Sequence, residues 1–124
     1  MQIERTRTFL SGADLSSSQY RLVKLDSTQN KVVVATGGTD NIIGVVLDGG
    51  KASGDRVRVG LLSAQGTLLV VASAAITLGA SVTATTGGKA VATTTTGNIV
   101  AGIALEAAAA DGDLIEILPT RYKY

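Results

Sequence analysis

Along this chain apolar and polar positions follow a two-residue period, not a helical one. The clearest stretches are RVRVG at 56–60 and LIEIL at 114–118, where one face would be buried and the other exposed. Shorter apolar runs of the same kind predict strands over 21–25, 31–35, 43–47, 56–61, 67–71, 81–85, 90–93, 100–105 and 114–118. Turn residues punctuate them: Asp26-Ser27-Thr28-Gln29-Asn30, Gly37-Gly38, Gly49-Gly50, Gly87-Gly88 and Gly97-Asn98. No segment carries an apolar stripe at 3.6-residue spacing. Many short strands at near-regular spacing predict an all-β chain, folded as a small single-domain antiparallel barrel or sandwich.

One stretch resists that reading. ALEAAAADGD (104–113) holds four consecutive alanines, the best helix formers, and ends in a turn signal. An internal repeat bears on it. Shifted by 58 residues, GVVLDGGKASGDRVRVG (44–60) lies on GIALEAAAADGDLIEIL (102–118) without a gap. Gly44 falls on Gly102, Leu47 on Leu105, Ala52 on Ala110, Gly54 on Gly112 and Asp55 on Asp113. Upstream, Lys31 falls on Lys89 and Val33 on Val91. Where the second copy has Glu-Ala-Ala-Ala-Ala the first has Asp-Gly-Gly-Lys-Ala, and paired glycines oppose a helix. A shared conformation puts the alanines in a strand end and loop; a one-turn helix confined to the second copy is the alternative. Gly44 and Gly102 are expected at bulges or close backbone approaches.

Composition then narrows the chemistry. The 124 residues carry 11 basic and 10 acidic side chains, a net charge of +1, which gives no electrostatic case for nucleic acid or a membrane surface. The apolar stretch 68–80 is too short for a membrane span, and MQIERTRTFL has no apolar run of a secretory leader behind its charges. Cysteine, histidine and tryptophan are absent, with one phenylalanine and three tyrosines. No thiolate or imidazole is present to ligate a metal or to act as a nucleophile's base, and there are few aromatic platforms for sugars or bases. Asp111-Gly112-Asp113 lacks the alternating oxygen ligands of a calcium loop, and no glycine run has phosphate-loop spacing. Asp48 and Glu106, related by the repeat, would form a glycosidase pair only across a cleft between the halves. The expectation is no enzyme, no catalytic residue, no cofactor and no metal.

Two features point instead to binding. Between Arg58 and Glu106 the only charged residue is Lys89. That segment is either a threonine-rich sheet surface or one covered by another chain, since interface cores are depleted in charge. The ends stand apart from the body: residues 1–12 are expected as an N-terminal arm, 13–119 as the β domain and 120–124 as a C-terminal tail. Each end is either frayed or ordered by a partner, with Ile3 as an anchor and backbone free to add a strand to another sheet.

The segments TFLSGADLS (8–16), QYRLVKL (19–25), GDRVRVG (54–60), GKAV (88–91) and above all GIALEAAAADGDLIEIL (102–118) resemble the capsid cement, or head decoration, proteins of tailed bacteriophages. The resemblance spans nearly the whole chain, and 61–75 is its least distinctive part. It implies a β-tulip-like body, a homotrimer on the outer capsid surface at three-fold positions, and the major capsid protein as partner, with neither nucleic acid nor membrane. It also implies addition after shell expansion and resistance to the outward pressure of packaged DNA. By the same analogy Gln2, Ile3, Glu4, Arg5, Thr6, Arg7 and Thr8 are expected to contact the capsid. A tail-tube or baseplate β domain and a carbohydrate- or cell-surface-binding module are the alternatives.

Overall fold

The computed structural model describes residues 6–28, 30–49, 52–62 and 66–124. Ten strands run through it: β1 Thr6–Ser11, β2 Leu22–Leu25, β3 Lys31–Val34, β4 Ile42–Gly49, β5 Arg56–Leu61, β6 Leu68–Val71, β7 Ser81–Ala84, β8 Ala90–Ala92, β9 Ile99–Ala104 and β10 Leu114–Lys123. Among the described residues there is no α-helix, only a single 3-10 turn at Thr86–Gly88. The first five strands close into a barrel in the order β1-β3-β2-β4-β5, and the last five form a sheet in the order β6-β10-β9-β7-β8. The chain is therefore all-β, as its period predicts.

The two ends differ from expectation. Residues 6–11 are no arm beside the domain: they are a barrel strand, antiparallel to β5 and parallel to β3. The pattern hides this strand because its inward positions are Arg7, Phe9 and Ser11. Phe9 is buried with the Arg7 guanidinium 4.6 Å above its ring, and the buried Ser11 hydroxyl donates to the Ala52 carbonyl at 2.6 Å. Residues 120–123 are likewise strand. After an irregularity between Pro119 and Tyr122, β10 pairs again with β9 through Tyr122 on Val100 and Lys123 on Ile99.

The sequence repeat is a repeat of structure. Gly44 faces Leu61, Val45 faces Gly60 and Val46 faces Val59; in the second copy Gly102 faces Pro119, Ile103 faces Leu118 and Ala104 faces Ile117. The outer pairings correspond too, with Phe9 on Val57 answering to Val70 on Ile115. The first barrel's interior holds Phe9, Leu15, Val23, Val32, Val46, Val57 and Val59. Position for position, the second sheet, curled into a second barrel that only the Ala72–Ala90 bridge closes, holds Val70, Ile76, Val82, Ala90, Ala104, Ile115 and Ile117. Both copies make the same Gly-Asp turn: Gly54 and Gly112 have φ of 94° and 93°, and each following aspartate caps the loop before it. The alanines of 107–110 therefore form a loop, in which Ala108 bridges Ile76. Asp113 accepts hydrogen bonds from the Ala109 and Ala110 amides, and these outweigh alanine's helix propensity.

The copies differ at one seam. β1 and β3 close the first barrel through Leu10 on Lys31 and Ser11 on Val32, whereas the second retains only the bridge Ala72 on Ala90. The Leu10 amide donates to Asn30 of its own barrel at 2.7 Å, but the Val71 amide, its counterpart, donates to Tyr20 of the first barrel at 3.0 Å. Residues 20–22 thus wedge into the second barrel's seam. Tyr20 adopts φ 64° there, and Arg21 donates to the Gly87 carbonyl at 3.1 Å. Leu22, Ile42 and Val45 complete the second barrel's core. The Ile99 amide donates to Gly38, and Arg121 to the Ile42 carbonyl at 2.7 Å, while the Arg121 guanidinium also reaches the Asn41 side chain.

The loop presenting Gly38 and Asn41 is tied by one carboxylate. Asp40 accepts from the Thr36 amide at 2.7 Å, the Thr36 hydroxyl at 3.0 Å and the Gly37 amide at 3.2 Å, and Lys24 lies 3.4 Å away. The Thr36 amide above all holds its pKa below the ordinary 3.8, with partial burial acting against it. A carboxyl whose folded pKa is depressed stabilises the fold above its ordinary value, and loses that contribution as the pH falls through the folded value. Asp40→Asn is expected to cost about 1 kcal/mol at neutral pH and to flatten the loss of stability below pH ~4. Thermal melts from neutral to acid pH check this; a variant with the acid sensitivity of the wild type contradicts it.

Candidate functional site

Of the seven residues expected to touch a partner, Gln2, Ile3, Glu4 and Arg5 lie outside the described residues. Thr6, Arg7 and Thr8 stand in the barrel wall, opposite Gly60, Val59 and Arg58. Arg7 is exposed, with its guanidinium stacked over the Phe9 ring, and donates to the Asn30 side-chain oxygen at 3.4 Å. Thr8 turns outward beside Arg58. An open depression of about 330 Å³ lies here, lined by Arg7, Thr8, Phe9, Leu10, Asn30 and Arg56.

The other chemical candidates are engaged locally. Asp48 pairs with the exposed Arg58 at 3.2 Å, and Glu106 accepts the Glu116 amide at 2.9 Å. These carboxylates hold equivalent strand ends in separate barrels. Asp111 pairs with Lys89 at 2.8 Å, which lowers its pKa, and Asp113 caps the Ala109–Ala110 loop. Among the described residues no three potential metal-ligating side chains gather.

A surface that the sequence pattern does not mark lies on the outside of the second sheet. Paired residues of neighbouring strands point the same way, so Leu114 with Val71, Glu116 with Leu69 and Leu118 with Ile103 share one face. Leu114 is 46% exposed and Leu118 43%. Their counterparts in the first barrel are Arg56 for Leu114, Arg58 for Glu116, Thr8 for Leu69 and Leu10 for Val71. One scaffold therefore carries Arg56 and the Arg58–Asp48 pair on one outer face and, at matching positions, Leu114 and Leu118 around Glu116 on the other. The contrast is present in the 58-residue alignment, where Arg-Val-Arg-Val-Gly lies on Leu-Ile-Glu-Ile-Leu, but only the pairing shows which of those side chains face outward.

The long stretch with Lys89 as its sole charge is explained in part within the chain. It lines the second barrel and receives Leu22, Ile42 and Val45 from the first. Thr83 is buried, not solvated, and its hydroxyl donates to Ile99 at 2.7 Å.

A family model described as phage cement protein matches residues 28–119. Among solved structures, the chain is similar to the N base of head fiber gp8.5 in bacteriophage phi29. The TM-score is 0.73 at 23% sequence identity, with 96% of each chain covered, a likeness of fold. No curated protein matches the sequence.

Proposed function

We propose that this chain, which belongs to the phage cement protein family, binds the outside of a phage capsid as a homotrimer and ties neighbouring capsid subunits together against the pressure of packaged DNA. The structural observation that supports this is the outer face of β6, β10 and β9, where Leu114 and Leu118 stand exposed on either side of Glu116. Large apolar side chains exposed on the outer face of a small β protein fit docking to another protein. Many copies on one shell add contacts that must all break before the subunits separate, so modest affinity per copy suffices.

In this reading Gln2 to Thr8 contact the major capsid protein, with Thr6 to Thr8 presented from the wall of the first barrel. Removing all seven would strip half of β1 from β5, so a clean test deletes residues 2–5 and, separately, makes Arg7→Glu. Co-sedimentation with shells stripped of this protein is the assay, using expanded and unexpanded forms. The wild type is expected to bind expanded shells selectively and to saturate at whole trimers per three-fold position. The deletion is expected to lose binding with its melting temperature unchanged. No wild-type binding to either form sinks the cement role; full binding by both variants moves the contact onto the body.

A further inference from the structure

We propose that the depression on β1 between Arg7 and Arg56 receives a carboxylate side chain of the major capsid protein, an inference that rests on the cement reading above and names the chemistry of its contact. Three observations carry it.

The first is where the free cations lie. Arg7 and Arg56 are both exposed and both line the depression, and among the described residues neither forms an ion pair. Arg58, two residues along β5 from Arg56, is instead neutralised by Asp48 at 3.2 Å. Two guanidinium groups flanking one hollow fit an anionic occupant. On the outside of a shell the anion at hand is a carboxylate of the subunit beneath.

The second is how Arg7 is held. Its guanidinium stacks 4.6 Å over Phe9 and donates to Asn30 Oδ1 at 3.4 Å, which sets its orientation before anything binds. Asn30 is itself tied to β1, its carbonyl accepting the Leu10 amide at 2.7 Å.

The third is what the scaffold requires. The second copy places Leu68 where the first has Arg7, Leu114 where it has Arg56 and Gly88 where it has Asn30. At the last of these both backbones are left-handed, with φ 66° at Asn30 and 74° at Gly88. Glycine adopts that conformation freely, whereas asparagine does so at a cost. The fold therefore needs none of these three polar side chains, and asparagine stands where glycine would be easier, with its side-chain oxygen on Arg7.

Co-sedimentation with stripped, expanded shells over a range of salt concentrations is the test. Arg56→Gln is expected to weaken binding about tenfold at low salt and to flatten the salt dependence, and Arg58→Gln to change neither. Asn30→Gly is expected to fold as stably as the wild type and yet to bind about threefold more weakly. When Arg56→Lys chains on the shell are treated with a carbodiimide, position 56 is expected to be linked to an aspartate or glutamate of the capsid subunit. Wild-type affinity in both Arg56→Gln and Asn30→Gly overturns the inference, while binding by the wild type itself leaves the cement reading standing. Linkage of position 56 only to another copy of this chain overturns it in favour of a self-contact. A wild type that binds no shells removes the cement reading and this occupant with it.

Discussion

Gly102→Ala is expected to lower the unfolding free energy by about 3 kcal/mol, at the upper end of overpacking costs, and Gly44→Ala by a similar amount. Neither glycine is there for its dihedral angle; both are there for space. A Cβ on Gly44 would sit 2.3 Å from the Gly60 carbonyl oxygen, and one on Gly102 would sit 2.3 Å from the Leu118 oxygen. The obstacle is backbone, so it cannot rotate aside as a flexible side chain would. Relief requires β4 to part from β5, or β9 from β10, each the central hairpin of its barrel. Gly54 makes the useful contrast: its φ is 94° but nothing lies within 4 Å of its Cβ position. Gly54→Ala is therefore expected to cost only about 1 kcal/mol, for the strained backbone alone. Urea denaturation of the three variants checks the order; a Gly102→Ala chain as stable as Gly54→Ala contradicts the close-approach argument.

These two glycines were legible in the sequence because the repeat aligns them, and a repeated glycine inside a strand pattern signals close approach. The strand set was legible for the same reason: RVRVG and LIEIL alternate because each has one face in a barrel interior. β1 was not, since its inward positions are a cation stacked on a ring, the ring itself and a buried hydroxyl, which together read as polar. The continuation of β10 past Pro119 was hidden as well, because the proline and the irregular pairing that follows it look like the end of a strand. The leucines of the outer face are hidden in the sequence for a different reason. Leu114 and Leu118 read as core in one dimension, and only the pairing of β10 with β6 and β9 turns them outward. The resemblance points to Gln2 to Thr8 for the capsid contact, and of these the described residues, Thr6 to Thr8, form barrel wall.

The largest effect is expected from separating the two barrels: residues 1–62 alone should keep a β fold, and residues 66–124 alone should not. The asymmetry follows from their interiors. Where the first barrel packs Val32 and Val46, the second has Ala90 and Ala104, and the volume that those alanines leave is taken by Leu22, Ile42 and Val45 from across the seam. The first barrel closes its own sheet and fills its own core, at a length at which isolated domains do fold. The second has a single bridge across its seam, and its Val71 amide relies on the Tyr20 carbonyl. Alone, it would hold an unfilled core and an unpaired amide at an open seam, costs that a half-chain of its size has little surplus to absorb. In the intact chain Leu22→Ala probes the same dependence. Leu22 is fully buried, so the substitution is expected to cost about 3–4 kcal/mol. Because Leu22 lies in β2 of one barrel and in the core of the other, the chain should still melt in one transition. Circular dichroism and proton–nitrogen spectra of the two halves, with calorimetry of Leu22→Ala, are the measurements. A folded 66–124 fragment, or a Leu22→Ala chain whose second barrel melts separately at the wild-type temperature, would show that the wedge decorates a self-sufficient barrel and does not complete it.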